Sequence, residues 1–275
     1  MRRSVIHSSH WGPFRAEVEN GRVVGVRPFE KDPDPSPIIT SMPDGLYAKA
    51  RVAEPMVRKG WLEHGPGGRR EARGADAFVP VSWERALDLV ADELARVKTQ
   101  HGNASIFAGS YGWSSAGRFH HARTQLHRFL NCHGGFTAQV QNYSYAAAIS
   151  LLPHIVGNLD SVQGPLSSWD GIAQHTRLMV CFGGLPLKNT QIDSGGVGEH
   201  TAAVWMKRCR EAGTRFINIS PARDDAAEFL DAEWISIKPN TDTALMLGLA
   251  HTLVTENLFD RGFVARYCSG LEGFS

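Results

Sequence analysis

Two groups of aromatic and hydroxyl side chains are the strongest candidates for chemistry in this chain. Tyr111 and Trp113 lie in the loop 109–115, which follows a predicted buried strand at 105–108. Ser144 stands further along, between two tyrosines. Ligands of open α/β sheets bind beyond the carboxyl ends of the strands, where aromatic side chains are not the usual filling. The pattern indicates a pocket that offers hydroxyl groups and an indole N–H and holds little water.

The elements that would position these residues alternate between strand and helix from Pro80 onward. This order predicts an α/β fold with a doubly wound, mostly parallel sheet. The helix predicted near 83–98 begins after Ser82, a plausible N-cap. The helix predicted at 242–257 is apolar on nearly every face, so we expect it to be buried on most sides. The other predicted elements are strands at 177–182, 215–219 and 233–237 and helices near 116–133 and 197–212.

The N-terminal region has a different pattern. Residues 16–26 alternate around Asn20-Gly21, a strong signal for a β-hairpin, and residues 28–45 are rich in proline and aspartate. We therefore expect a small β-containing region at 1–80 that wraps a larger α/β body at 81–275.

Composition excludes several classes of protein. The 275 residues contain 29 Lys+Arg and 28 Asp+Glu, so nothing indicates binding to nucleic acid or to an anionic membrane. No apolar run approaches the roughly 20 residues of a spanning helix, so no membrane insertion is expected. The sequence also lacks the G-x-G-x-x-G fingerprint after a strand, which disfavours a plain dinucleotide-binding domain.

The N-terminus and the cysteines bear on localisation. Arg2-Arg3 is not followed by the apolar segment of a signal peptide, so we interpret the chain as a mature cytoplasmic protein, with the periplasm as the alternative if the true start lies upstream. The four cysteines are widely separated, which excludes a C-x-x-C motif and is typical of a reduced, cytosolic protein.

Several separated motifs carry a family resemblance. The run Ser-Tyr-Gly-Trp-Ser-Ser-Ala-Gly-Arg at 110–118 and the run Asn-Tyr-Ser at 142–144, followed by alanines, resemble the dimethyl sulfoxide reductase family of molybdenum enzymes. The resemblance implies that Ser144 is the protein ligand of molybdenum and that Tyr111 and Trp113 donate hydrogen bonds to the transferred oxygen. Taken alone, Ser144 would be an ordinary hydroxyl at a strand end and the two aromatic side chains would be packing residues.

The resemblance also implies a cofactor, bis(molybdopterin guanine dinucleotide) molybdenum, which Trp113 would contact as well. A strand-end loop with backbone N–H groups and a cation suits a pyrophosphate, although the same residues could form a plain turn. Two further loops resemble those that contact guanosine, and the alternative for Thr241 or Asp242 is to cap the following helix. The expected contacts are Lys188, Asn189 and Thr190 for the pyrophosphate and Ser220, Pro221, Arg223, Asn240 and Asp242 for guanosine.

No cysteine precedes Cys132, and His10-Trp11-Gly12-Pro13 stands where many relatives have iron–sulfur ligands. We therefore expect no iron–sulfur cluster, an external electron donor and membership among the sulfoxide and N-oxide reductases, with biotin sulfoxide favoured. Oxygen would pass from the substrate to water through Mo(IV) and Mo(VI). The chain is interpreted as the N-terminal part of such an enzyme without its C-terminal domains. The alternative is a non-catalytic truncated fragment or a cofactor-binding module.

Overall fold

The computed structural model describes residues 1–68, 70–109, 112–113, 121–142, 144–163 and 166–274. The chain separates into two compact units. Unit 1 comprises Met1–Leu166 and Gln191–His200, and unit 2 comprises Ser167–Thr190 and the residues from Thr201 onward. The boundary predicted at residue 80 falls inside unit 1 and remains a prediction.

Unit 1 begins with an antiparallel sheet of three strands, β1 (Arg2–Ser9), β2 (Gly12–Glu19) and β3 (Arg22–Pro28). The predicted hairpin is confirmed as β2–β3. Asn20 and Gly21 have φ values of 48° and 78°, the left-handed conformation that a tight hairpin turn of this kind requires. The sequence did not predict β1, because nearly all its residues are exposed and give no buried alternation.

The rest of unit 1 contains two small sheets and six helices among the described residues. The strands β4 (Met56–Arg58) and β5 (Phe78–Pro80) pair antiparallel, whereas β6 (Phe107–Ala108) and β7 (Thr137–Ala138) pair parallel. The helices are α1 (Met42–Tyr47), α2 (Lys59–His64), α3 (Trp83–His101), α4 (Ala122–Cys132), α5 (Ala146–Val156) and α6 (Asp160–Gln163).

Three predictions in unit 1 can be compared with these elements. Ser82 caps α3 as expected, since its hydroxyl oxygen accepts a hydrogen bond from Arg85 N at 3.2 Å. The strand predicted at 105–108 is shorter, because Ser105 belongs to a 3-10 turn in which its hydroxyl donates to Gly102 O. The helix predicted near 116–133 is seen as α4; its predicted first turns fall partly on residues 114–120, which lie outside the described residues.

Unit 2 is built on a parallel sheet of three strands in the order β10-β9-β8, where β8 is Leu178–Phe182, β9 is Arg215–Ile219 and β10 is Glu233–Ile235. Two helices, α7 (Trp169–His175) and α8 (Ala202–Glu211), pack beside it. The core of the unit consists of Met206, Cys209, Phe216 and Leu230. The α/β composition is therefore as predicted, while a continuous doubly wound sheet remains a prediction.

The helix predicted near 197–212 begins later than expected, at Ala202. The reason is a long-range contact: the His200 backbone N–H donates to the Asp32 carboxylate at 3.0 Å. This hydrogen bond holds the residues before α8 in unit 1 and keeps them out of the helix.

Three helices follow β10, namely α9 (Asp242–Thr255), α10 (Arg261–Tyr267) and α11 (Leu271–Phe274). The expected burial of α9 is wrong for this chain, since none of its residues is buried and Leu247 is 52% exposed. An apolar helix is stabilised when another element packs against it. Among the described residues, no element covers α9 well enough to bury its side chains. No described helix combines the length and apolar character needed to cross a membrane.

Candidate functional site

The carboxyl ends of β8, β9 and β10 meet at one edge of the sheet in unit 2, as parallel strands must. The loop after β8 closes onto the loop after β9: the Gly183 N–H donates to Ile219 O at 2.9 Å, and the Leu185 N–H donates to Asp225 O at 2.7 Å. Gly184 has φ +87°, and a Cβ there would lie 2.5 Å from Asp225 O. Only glycine allows the two loops to approach so closely.

The Asp225 carboxylate connects two of the predicted site residues. The Ser220 hydroxyl donates to Asp225 Oδ2 at 2.5 Å, and Lys188 Nζ lies 3.8 Å from Asp225 Oδ1. The Lys188 side chain is 74% exposed, so its ammonium group is accessible to an anion. Asp225 was not among the predicted site residues, although it closes the run Ser-Pro-Ala-Arg-Asp-Asp that contains several of them. The carboxylate at the end of that run is the sequence feature that could have identified Asp225 as a site residue.

Residues of β9 and of the segment that follows it line a polar cavity of about 720 Å³. Asn218, on β9, lines it and is only 1% exposed; its Nδ2 donates to Arg223 O at 3.2 Å. Within the part of the chain that the structure describes, Asn218 Oδ1 has no hydrogen-bond partner. Buried acceptors are normally satisfied, so this oxygen is an exception within the described residues. The other polar residues that line the cavity are Arg223, Asp224, Glu228 and Asp231.

The loop after β8 partly satisfies its own polar groups. Thr190 Oγ1 donates to Leu187 O at 2.8 Å, and the Asn189 N–H donates to Pro186 O at 3.1 Å. Leu187–Thr190 therefore forms a 3-10 turn, as in the plain-turn alternative. The turn leaves Lys188 on the outside, so a turn and an anion-binding role are compatible.

The loop after β10 carries Asn240 and Asp242. Asn240 has φ +65°, a left-handed conformation that asparagine tolerates better than most residues. Thr241 occupies the N-cap position of α9, but its hydroxyl donates to Lys238 O at 2.7 Å and makes no cap hydrogen bond. The capping alternative is therefore wrong for the Thr241 side chain. Asp242 lies in the first turn of α9, where a carboxylate is favoured by the helix dipole.

The remaining predicted residues lie in unit 1. Ser144 is exposed and precedes α5 in a turn where Gln141 has φ +62° and Asn142 Oδ1 accepts a hydrogen bond from Tyr145 N at 3.0 Å. Trp113 is 47% exposed, and its ring meets the His10 ring edge-on, with centroids 5.8 Å apart. Tyr111 lies outside the described residues. The predicted site residues thus divide between the two units, with Lys188, Ser220 and their neighbours in unit 2.

The other side chains that could ligate a metal contribute little. Among the described residues, no group of three or more His, Cys, Asp or Glu side chains is arranged to hold a metal ion. Burial raises the pKa of the Cys181 and Cys209 thiols, so neither readily offers a thiolate.

Comparison with known proteins identifies the family. Residues 51–262 match the model of the molybdopterin oxidoreductase family, and residues 7–47 match the molybdopterin oxidoreductase N-terminal domain. The chain belongs to the molybdopterin oxidoreductase family. This confirms the resemblance inferred from the motifs around Trp113 and Ser144.

Similar members of the molybdopterin oxidoreductase family have names that refer to oxide substrates. The chain is 48% identical to the biotin sulfoxide reductase of Cereibacter sphaeroides over 90% of its length. It is 43% identical to the dimethyl sulfoxide/trimethylamine N-oxide reductase of Rhodobacter capsulatus over 98% of its length. It covers 34% of the first relative and 33% of the second, so the chain spans about a third of their length.

Proposed function

We propose that this chain forms the cofactor-binding part of a reductase that removes oxygen from a sulfoxide or N-oxide, with biotin sulfoxide as the favoured substrate. Family membership and the names of the relatives support the reaction class. The single observation that carries the proposal is the strand-end edge of unit 2, where an exposed Lys188 and the Asp225 carboxylate lie on adjacent loops and the unsatisfied Asn218 oxygen belongs to β9.

The side chains at this edge fit a nucleotide-bearing pterin. A pyrophosphate needs a cation and N–H donors; Lys188 offers the cation and the Asn189 side-chain amide offers N–H donors, with Thr190 beside them. A guanine base presents N–H donors, for which the Asp242 carboxylate is an acceptor. The Asn218 oxygen is a second acceptor, one that sequence reasoning did not assign. We place Ser220, Pro221, Arg223 and Asn240 around the guanosine.

Ser144, Tyr111 and Trp113 would carry the reaction. When bound, the molybdenum cofactor supplies the two-electron chemistry. The Ser144 hydroxyl is exposed and, after losing its proton, offers the hard oxygen donor that high-valent molybdenum favours. The Tyr111 O–H and the Trp113 indole N–H would stabilise charge as the oxygen leaves the substrate. We propose the guanine dinucleotide form of the cofactor, no iron–sulfur cluster and an external electron donor.

The chain covers only about a third of the length of these relatives, so other segments would supply the rest of the cofactor site. We infer that further domains of the same enzyme, corresponding to the unmatched two thirds of the relatives, complete the pocket. A non-catalytic cofactor-binding module is the second candidate, and the same short coverage favours it. Metal and pterin analysis combined with turnover separates the two, since a module would bind the cofactor without reducing an oxide.

The decisive experiment concerns Ser144 in the cofactor-loaded enzyme. We expect about one molybdenum and no iron per wild-type molecule. Ser144→Ala should retain the metal, because other contacts hold the cofactor, but should lower turnover by orders of magnitude. Ser144→Cys should retain the metal and change its optical spectrum, because a soft thiolate replaces a hard oxygen.

Two comparisons make this result specific. Tyr111→Phe should keep the metal spectrum and lose about 10²–10³ in rate, the effect of removing one preorganised donor. Ser41→Ala, at an exposed position of the N-terminal region where the hydroxyl donates to Ile38 O, is the matched control and should change neither spectrum nor turnover. If Ser144→Ala leaves both intact, Ser144 is not a ligand; stoichiometric iron would contradict the proposed subfamily.

A further inference from the structure

The tip of the first hairpin is a turn closed by hydrogen bonds. Strands β1 and β2 are joined by the two residues His10 and Trp11, with Ser9 paired to Gly12. The Ser9 hydroxyl donates to Gly12 O at 3.2 Å and accepts from the Trp11 N–H at 3.2 Å. The turn is therefore closed by a side chain as well as by the sheet, and the position of His10 is well defined.

The same tip is held from outside by residues far along the chain. The Asp193 N–H donates to His10 O at 3.2 Å. Gly12 packs against His200 so closely that a Cβ at Gly12 would lie 2.8 Å from the imidazole ring. His200 in turn pairs with Asp32 at 2.6 Å, and both side chains are at most 2% exposed. The turn thus packs against a buried, hydrogen-bonded pair of side chains.

From this fixed turn, the His10 ring meets the Trp113 ring edge-on, at an angle of 73° and a centroid distance of 5.8 Å. Edge-to-face geometry is one of the two arrangements that aromatic rings favour. Trp113 is 47% exposed, so surrounding packing restricts its rotamer less than it would restrict a core tryptophan. A contact of this kind changes a rotamer population about two- to tenfold.

We propose that His10 is a positioning residue that orients the Trp113 indole for its hydrogen bond to the transferred oxygen. The proposal rests on the proposed function, which gives Trp113 its donor role. His10 does not touch the substrate in this proposal; it acts through the ring contact. The buried His200–Asp32 pair and the Asp193 hydrogen bond keep the hairpin tip, and hence His10, in place.

The ring contact is tested first in the 275-residue chain, without cofactor and with Leu247 and Leu253 replaced by glutamine, so that association through α9 does not broaden the signals. The seven tryptophans are replaced by 5-fluorotryptophan, and Trp113→Phe assigns the Trp113 signal in the ¹⁹F NMR spectrum. We expect His10→Ala and His10→Leu to shift this signal, and His10→Phe, which keeps a ring, to restore it in large part. Two non-ring variants are used so that a folding defect in one does not decide the result.

His7→Ala is the matched control. The His7 ring meets Phe14 edge-on at 5.4 Å on the same hairpin, so this variant removes a similar contact in which Trp113 takes no part. It should leave the Trp113 signal unchanged. A Trp113 signal that does not move in either non-ring variant of His10, or that moves equally in His7→Ala, overturns the proposal.

The consequence for catalysis is tested in the cofactor-loaded enzyme. His10→Ala should lower kcat about tenfold with little change in KM, because a misoriented donor stabilises the transition state less. His10→Phe should recover most of the loss. In a Trp113→Phe background His10→Ala should have no further effect. An equal loss in both backgrounds overturns positioning through Trp113. If Trp113→Phe alone leaves kcat unchanged, the proposed donor role fails, while the NMR result still reports separately on the ring contact.

Discussion

At the scale of single residues, Asp225 links the loops that follow β8 and β9. Asp225→Ala would leave the buried Ser220 hydroxyl without its acceptor, and we expect the free energy of unfolding to fall by about 1–3 kcal/mol. Asp224→Ala is the matched control: this neighbouring carboxylate is exposed, so the loss should stay within about 0.5 kcal/mol. Urea unfolding measures both, and equal losses would contradict the linking role of Asp225.

At the scale of elements, the N-terminal sheet should respond to acid through its ion pairs. The Arg15 guanidinium donates to the Glu30 carboxylate and lowers the pKa of that group from its ordinary 4.5 to about 2. A lowered carboxyl pKa stabilises the folded form fully above about pH 4.5, and this contribution is lost as the pH falls toward 2. Glu30→Gln should therefore flatten the dependence of the urea midpoint on pH in this window. Arg15→Gln removes the same ion pair and should flatten the slope to a similar extent; a Glu30→Gln slope equal to that of wild type would contradict the assignment.

At the scale of the whole molecule, α9 dominates the expected behaviour of the chain. Leu247, Leu249 and Leu253 are each about half exposed on it, and exposed apolar patches of this kind favour association. We expect the 275-residue chain to self-associate in sedimentation experiments. Replacing Leu247 and Leu253 by glutamine should reduce association, whereas Val140→Gln, at an exposed position outside α9, should not. A monodisperse wild-type monomer would show that the exposed face of α9 does not drive association.

Three predictions that rest on short-range sequence patterns are confirmed by the structure. The Asn20-Gly21 turn, the Ser82 cap and the strand at 215–219 were each predicted from neighbouring residues and agree with the structure. Turn conformation, capping and strand periodicity depend on interactions within a few residues, so the sequence alone determined them. The motifs around Trp113 and Ser144 likewise sufficed for the family.

Tertiary structure decided what depends on distant partners. The start of α8 is set by a hydrogen bond from His200 to Asp32, 168 residues away along the chain. The link between the two strand-end loops is made by Asp225, and the position of Trp113 is tied to His10 on a hairpin that the sequence did not fully predict. Local pattern reports which side chains are apolar or charged, but it does not report which distant group meets them. The exposure of α9 has the same cause, because apolar composition determines that a helix needs a partner, whereas only packing determines whether the described chain supplies one.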